Sequence, residues 1–418
     1  MIRRLLLYSH DSYGLGHFRR NLSIAEFILG QSPAVSVLAV TGSPRSHSFR
    51  LPAKFDYVKL PAATKNQEGA YRSRDLDLEL AELIDLRARI LLDCATAFKP
   101  DLVLVDHAPF GLGGELLPMM ERMRGKTKFV FGMRDIIDDP DRVRRLWASQ
   151  GVVAHLKRSF DAILYYGDRR IFDPVKAYGL PAEISRRMVE VGYVTRNAPP
   201  PHLHEMQRWR GRDGRRLVVV TVGGGGDGNR ILSTYLRSLR AAGPNVGFDS
   251  LIVTGPLMSP AKKAKIESLA AGCTDVQVAE FIPDLHAIYG MADLVVCMGG
   301  YNTLAEVLAS RARALVIPRI APRLEQLVRA CSLADQGLVD LLHPRDMGGS
   351  QLLARVQTIL ERNKMAGHRL VPRLQGAQRT WESLQALHDG GSPGLLAATC
   401  SSAMPDGAPA SWSMAEGT

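Results

Sequence analysis

The stretch from Ala292 to Ala330, ADLVVCMGGYNTLAEVLASRARALVIPRIAPRLEQLVRA, contains a strand-helix-strand-helix progression in full. A short apolar run ends in Gly299 and Gly300, and a helical pattern follows from about Tyr301. A second apolar run, RALVIP, stops at Pro318, and Glu325 and Gln326 open another helix. Strands alternating with helices read as βαβ units, which place neighbouring strands parallel in one sheet.

The same alternation runs through most of the 418 residues. In the first half the strand-like runs are RLLLYS, VSVLAVT, DLVLVDH, KFVFGM and DAILYYG; in the second they are RLVVVTVGG, DSLIVTG, VQVAEFI, DLVVCMGG and RALVIP. Helices are expected over residues 17–30, 77–98, 260–271, 301–311 and 324–335. The pattern breaks at RNAPPPHLHEMQRWRGRDGRR, where three consecutive prolines precede five arginines in nine residues. The expected fold class is therefore α/β, with two doubly wound, Rossmann-like domains in tandem. Residues 1–200 form the first, 201–215 a Pro/Arg-rich linker, and 216–388 the second, whose final helix crosses back. Residues 389–418, small, polar and proline-bearing, are expected to be a disordered tail.

Composition narrows the function classes. Apolar residues at 46% and charged residues at 23% are ordinary for a soluble globular chain. Lys plus Arg exceeds Asp plus Glu by 53 to 42, a formal charge of +11 that suits a phosphate-bearing partner. Nucleic acid is a poor fit, because the arginine run is confined to the linker and aromatics are only 6%. Five scattered cysteines with no C-x-x-C pair argue against a disulfide framework or a zinc site, and the expected compartment is the cytoplasm. No apolar stretch is long enough to span a bilayer, so contact with an anionic membrane would be peripheral, through segments such as LLPMMERMRGKTKF.

Ligands of parallel sheets bind beyond the carboxyl ends of the strands, so the loops there are where chemistry is sought. In SHDSYGLGHFRR, residues 9–20, Gly14 and Gly16 permit a tight turn and His17 stands at a helix start, either as a general base or as a cap. In VTVGGGGDGNR, Gly223, Gly224 and Gly225 let backbone approach a pyrophosphate, although no acidic residue completes a dinucleotide fingerprint. In the opening stretch the hydroxyl of Thr303 can meet a phosphate and Glu306 can accept from a vicinal diol; a helix-capping Thr-x-x-Glu pattern accounts for these two alone. Asp106 and His107, with Arg134 and Asp135, end two strands of the first half and could line an acceptor pocket. There Asp106 could orient His17.

This constellation resembles the GT-B glycosyltransferase superfamily, and within it the branch containing the transferase that adds N-acetylglucosamine to a lipid-linked peptidoglycan intermediate. The resemblance rests on Gly300, Thr303 and Glu306, on Pro318 with the Glu325-Gln326 pair, on VAEFIPDLHAIYGMADLVV, on GLGH at Gly14 to His17, on VGYVTR and on GGGGDGNR. It implies a nucleotide sugar, most readily a UDP-sugar, in the second domain. Backbone near Phe281 and Ile282 would hold the base, Arg196 would face phosphate, and Gly299, Asn302, Glu325 and Gln326 would complete the donor site. The acceptor would be a glycolipid, a polysaccharide precursor or a small metabolite bound to the first domain, at the inner face of the membrane where that acceptor is lipid-borne. His17 would be the base, and neither metal nor cofactor is implied. Met298 stands where many retaining members carry a second carboxylate, which favours inversion. A nucleotide-sugar epimerase or hydrolase, and a non-catalytic sugar-nucleotide sensor, are the competing expectations.

Overall fold

The computed structural model describes residues 1–10, 16–44, 46–65, 71–196, 209, 214–244, 246–348, 350–362 and 370–391. Most of the expected tail and most of the expected linker lie outside the described residues, as does Gly14.

The first half runs β1 (Arg4–Ser9), α1 (Gly16–Gln31), β2 (Ser36–Thr41), β3 (Phe55–Lys59), a short antiparallel pair β4 (Ala63–Lys65) and β5 (Tyr71–Ser73), α2 (Leu80–Phe98), and β6 (Leu102–Asp106). It continues with α3 (Leu117–Met123), β7 (Lys128–Arg134), α4 (Pro140–Ser149), α5 (Val152–Ser159), β8 (Ala162–Tyr166), α6 (Pro174–Tyr178), α7 (Ala182–Arg186) and β9 (Met188–Glu190). The second half runs β10 (Arg216–Thr221), α8 (Asn229–Ala242), β11 (Phe248–Val253), α9 (Pro260–Ala270), β12 (Val276–Ala279), α10 (Leu285–Tyr289) and β13 (Leu294–Cys297). Then follow α11 (Tyr301–Ser310), β14 (Ala314–Val316), α12 (Glu325–Asp335), β15 (Asp340–Leu341), α13 (Gln351–Glu361) and α14 (Gly376–His388).

Two sheets result, each parallel throughout. The first has the order β3-β2-β1-β6-β7-β8-β9 and the second β12-β11-β10-β13-β14-β15. The strands at their centres read as unbroken apolar runs because helices cover both faces: β6 and β13 are buried at every position. In each sheet the chain starts in the middle, winds one way and then returns to wind the other. The reversal falls between β1 and β6 in one sheet and between β10 and β13 in the other, and such a switch point is where a crevice opens beyond the strand ends.

One apolar cluster runs through both halves, joining Leu5, Leu7 and Phe18 to Val219, Val295, Leu304, Trp381 and Leu384. The last helix, α14, crosses back to pack on α1. Its entry is set by backbone contact. Gly376 N donates to Tyr193 O at 3.0 Å, and a Cβ on Gly376 would meet that oxygen at 2.6 Å. The other face of each sheet has a separate core, around Phe131 and Met119 in the first half and around Leu236 and Val356 in the second.

The expected helices and strands appear to within a few residues, and three of the expected runs end three residues early: RLVVVTVGG is strand only to Thr221, VQVAEFI only to Ala279 and DLVVCMGG only to Cys297. The flanking strands β3, β9 and β15, and the β4-β5 hairpin, add to the expected set. They are short and only partly apolar, so their sequences carry little periodic signal.

Candidate active site between the two switch points

The two crevices face one another. The first turn of α1 abuts the first turn of α11, where Asn302 Nδ2 donates to Gly16 O at 2.9 Å.

On the first side, β6 ends in Asp106, whose carboxylate is fully buried. Arg20 donates from Nη2 to both of its oxygens, at 2.8 and 2.7 Å, and from Nε to Oδ1 at 3.2 Å. His17 Nδ1 lies 2.7 Å from Asp106 Oδ2. Burial alone would raise the Asp106 carboxyl, but Arg20 and His17 outweigh it and hold it below the ordinary range. An ionised carboxylate only accepts, so Nδ1 carries the ring proton and donates it. Arg20 Nη2 also approaches Nδ1, at 3.0 Å, but its N–H groups are spent on the carboxylate. The His17 side chain keeps 17% of its surface exposed.

Two further imidazoles flank it. The His107 ring lies 5.0 Å from that of His17 at an interplanar angle of 14°, and His10 lies 5.2 Å from His17. His107 adopts a left-handed backbone (φ 65°), uncommon for a side-chain-bearing residue, directly after β6. Burial, then neighbouring cations, pushes both His10 and His107 well below the usual histidine range, so both are neutral at pH 7. The loop that follows is anchored by buried Glu115, which accepts from Tyr8 Oη at 2.7 Å and Arg87 Nη2 at 2.9 Å. Among the described residues, no group of three or more His, Cys, Asp or Glu side chains is placed to hold a metal ion.

On the second side, the glycine loop after β10 is packed backbone on backbone. A Cβ on Gly225 (φ 90°) would meet Thr254 O at 2.2 Å, and one on Gly299 would meet Gln326 O at 2.7 Å. Gly223 and Gly300 both face the Thr303 hydroxyl, their Cβ positions 4.0 Å from it. Bare backbone, a hydroxyl and the N-terminus of α11 thus surround one small space suited to phosphate oxygens. Gly224 packs toward Leu257 of the loop after β11. Glu306 is 6% exposed and is raised above the ordinary carboxylate range by burial, against the pull of Arg19. Arg19 Nη2 meets Glu306 Oε1 at 2.6 Å. Phe281, 47% exposed, and Ile282 follow β12.

Other expected site residues are engaged with protein partners. Arg196 pairs with Glu26 at 3.4 Å and Asp284 at 3.0 Å, bridging α1 and the start of α10. Glu325 is ion-paired with Arg319, which also reaches Asp227 at 3.1 Å, and Gln326 Oε1 accepts from Arg319 N at 3.0 Å. Asp135 is fully buried in a two-pronged pair with Arg329, at 2.6 and 2.7 Å, across the two halves. Arg134 donates to Ile136 O and Ile137 O, and burial beside Arg329 pushes it down to about 10.

Four contributors have no counterpart among the sequence expectations: Arg19, Arg20, His10 and Arg329. Arg20 follows His17 by one helical turn and so shares its face, a spacing the sequence does show. His10 directly follows β1, a strand-end position of the kind searched for ligands. Arg329 sits mid-helix, and its partner Asp135 is 194 residues away. Nothing local announces it.

Comparison with known proteins agrees with this architecture. Residues 218–369 match the model of the glycosyltransferase family 28 C-terminal domain. A protein of Vibrio campbellii (strain ATCC BAA-1116), the UDP-N-acetylglucosamine--N-acetylmuramyl-(pentapeptide) pyrophosphoryl-undecaprenol N-acetylglucosamine transferase, is 24% identical over 257 residues, covering 60% of this chain and 69% of that one. Its namesake from Vibrio parahaemolyticus is 29% identical over 153 residues, and there the match spans 37% of this chain and 42% of the relative. The crystal structure of Acinetobacter baumannii MurG superposes with a TM-score of 0.53 at 17% identity, over 96% of this chain and 98% of that one. The chain has the GT-B fold, and its second half resembles the C-terminal domain of family 28 glycosyltransferases.

Proposed function

We propose that this chain, a GT-B fold resembling the family 28 glycosyltransferases, moves a sugar from a UDP-sugar to an acceptor hydroxyl with inversion at the anomeric carbon. The observation that carries the reading is the His17-Asp106-Arg20 cluster at one switch point, set against Glu306 and the glycine loop at the other.

The base follows from the tautomer. With Nδ1–H committed to Asp106, Nε2 is the basic nitrogen and takes the acceptor proton as the hydroxyl attacks. Asp106 offsets the charge that forms on the ring, and Arg20 keeps Asp106 ionised. The neutral rings of His10 and His107 flank the imidazole without adding charge. Opposite, Glu306 accepts from the ribose diol, and Thr303 with the N-terminus of α11 receives the charge that grows on the leaving diphosphate. Phe281, exposed after β12, is offered to the uracil of the donor. Met298 supplies no nucleophile, so one direct displacement is the fitting route. Among the described residues, the cleft carboxylates Asp106, Asp135, Glu306 and Glu325 are each ion-paired with an arginine, which does not favour an epimerase or hydrolase that requires a free acid.

The acceptor belongs to the side of His17 and His107, and a lipid-borne alcohol is the class that the named relatives suggest. Among the described residues no helix is long and apolar enough to cross a membrane. Contact with an anionic leaflet on the cytoplasmic side would use α3, the segment after it and the end of α5, where Leu117 is 39% exposed and Arg124, Lys126 and Lys128 line a groove of about 420 Å³ with Lys157 and Arg158 of α5.

Turnover tests the reading. Incubation with UDP-sugars and a panel of alcohol acceptors should release UDP, and His17→Ala should lower the rate by about 10²- to 10⁴-fold with donor affinity retained. Full activity in His17→Ala overturns His17 as the base.

A further inference from the structure

Arg19 lies on the carboxylate that the proposed function gives to the ribose. It belongs to α1 in the first half, points away from the buried Arg20-Asp106 pair, and reaches across the cleft to Glu306 Oε1 at 2.6 Å. Glu306 is nearly buried, whereas Arg19 keeps 28% of its side-chain surface exposed. A ribose diol that takes Glu306 competes with this guanidinium for the same oxygens. An arginine displaced within a closed cleft needs another anion, since an unpaired charge left in partial burial is costly. In a nucleoside diphosphate that anion is built in: the diphosphate is attached to the same ribose. The bare backbone of Gly223 and Gly300 and the Thr303 hydroxyl, one turn from Glu306 on α11, mark where it would lie.

We infer that Arg19 is a donor-binding residue supplied by the acceptor half, which passes from the Glu306 carboxylate to the donor diphosphate when the ribose takes Glu306. The exchange makes the site selective for a nucleotide over a nucleoside. A nucleoside displaces Arg19 and offers nothing in return, while a diphosphate replaces the lost ion pair with a stronger, charge-assisted one. It also ties the donor to both halves of the protein, so that the half carrying His17 registers the presence of the diphosphate. The inference rests on Glu306 being the ribose acceptor.

The test compares UDP with uridine by isothermal titration on the full chain and on Arg19→Ala, Arg19→Lys and Glu306→Gln. The wild-type chain should prefer UDP. Arg19→Ala should bind uridine as well as or better than wild type and UDP at least about tenfold worse, because a hydrogen bond between charged groups is lost only with the nucleotide. Arg19→Lys should restore part of the preference. A purely structural Arg19-Glu306 pair would weaken both ligands by the same factor or neither, and that result overturns the exchange while Glu306→Gln still weakens uridine. Should the wild-type chain show no preference for UDP and Glu306→Gln no effect, the ribose assignment itself falls, and the inference with it.

Discussion

Three groups meet at Asp106: a carboxylate and a guanidinium that water does not reach, and an imidazole with one edge exposed. The pair with Arg20 is structural as well as chemical, because removing one partner of a buried ion pair leaves the other uncompensated. Asp106→Asn is therefore expected to destabilise the fold by about 3 to 5 kcal/mol, read from urea denaturation. It should also lower turnover in any sample that folds, since an amide no longer fixes the His17 tautomer; unchanged stability and rate would contradict the cluster's role. Residue by residue, the sequence made Asp106 and His17 readable because Asp106 ends a strand and His17 opens the helix after the β1 loop, the places where ligands of parallel sheets gather. Arg19 and Arg20 were hidden by their type, since arginines at a helix start read as solvated charge. One of them is buried and the other is an interdomain contact.

Among elements, the loop after β10 and the helix α11 show how glycine is fixed by space. Gly225 combines φ 90° with a carbonyl 2.2 Å from where a Cβ would stand, so Gly225→Ala is both strained and blocked. It should cost more than about 1 kcal/mol in thermal or chemical denaturation and weaken nucleotide binding as the loop shifts. Gly243, with nothing near its Cβ position, serves as the control, subject only to its positive φ. Strands such as β6 and β13, and helices such as α1 and α11, were legible because burial on both faces or on one stripe imposes a clear period. β3, β9 and β15 lie at or near sheet edges, and their mixed sequences carry no such period.

For the molecule as a whole, the halves are held by α14 on α1 and by ties across the cleft, of which Asp135-Arg329 is the most buried. Arg329→Ala should loosen this closure and raise the radius of gyration in small-angle scattering; an unchanged profile would show that α14 suffices. Acid should act on the fold with a definite sign. Asp106, Glu115 and Glu325 are held below their ordinary values by arginines that outweigh burial, so their stabilisation is complete above about pH 4 and is lost as pH falls through their folded values. Glu306, raised by burial, works in the opposite sense, and its single contribution is outnumbered. Buried His10 and His107, held well below the histidine range, act in the same sense as Asp106 from about pH 6.5 downward. The urea midpoint should therefore begin to fall below about pH 6.5 and fall further below about pH 4, and a flat profile would contradict these assignments. At this scale the two-sheet plan was readable from the alternation of runs. The ties across the cleft were not, because their partners are far apart in sequence and side-chain type alone does not pair them.

The central claim is that the second half binds a uridine nucleotide through Glu306. Titration of the purified chain with UDP, GDP, ADP and TDP tests it most directly. UDP should bind at least about tenfold more tightly than the other three, and Glu306→Gln should weaken UDP by about 1 to 3 kcal/mol. Equal binding of all four, binding of none, or UDP affinity untouched by Glu306→Gln would contradict it.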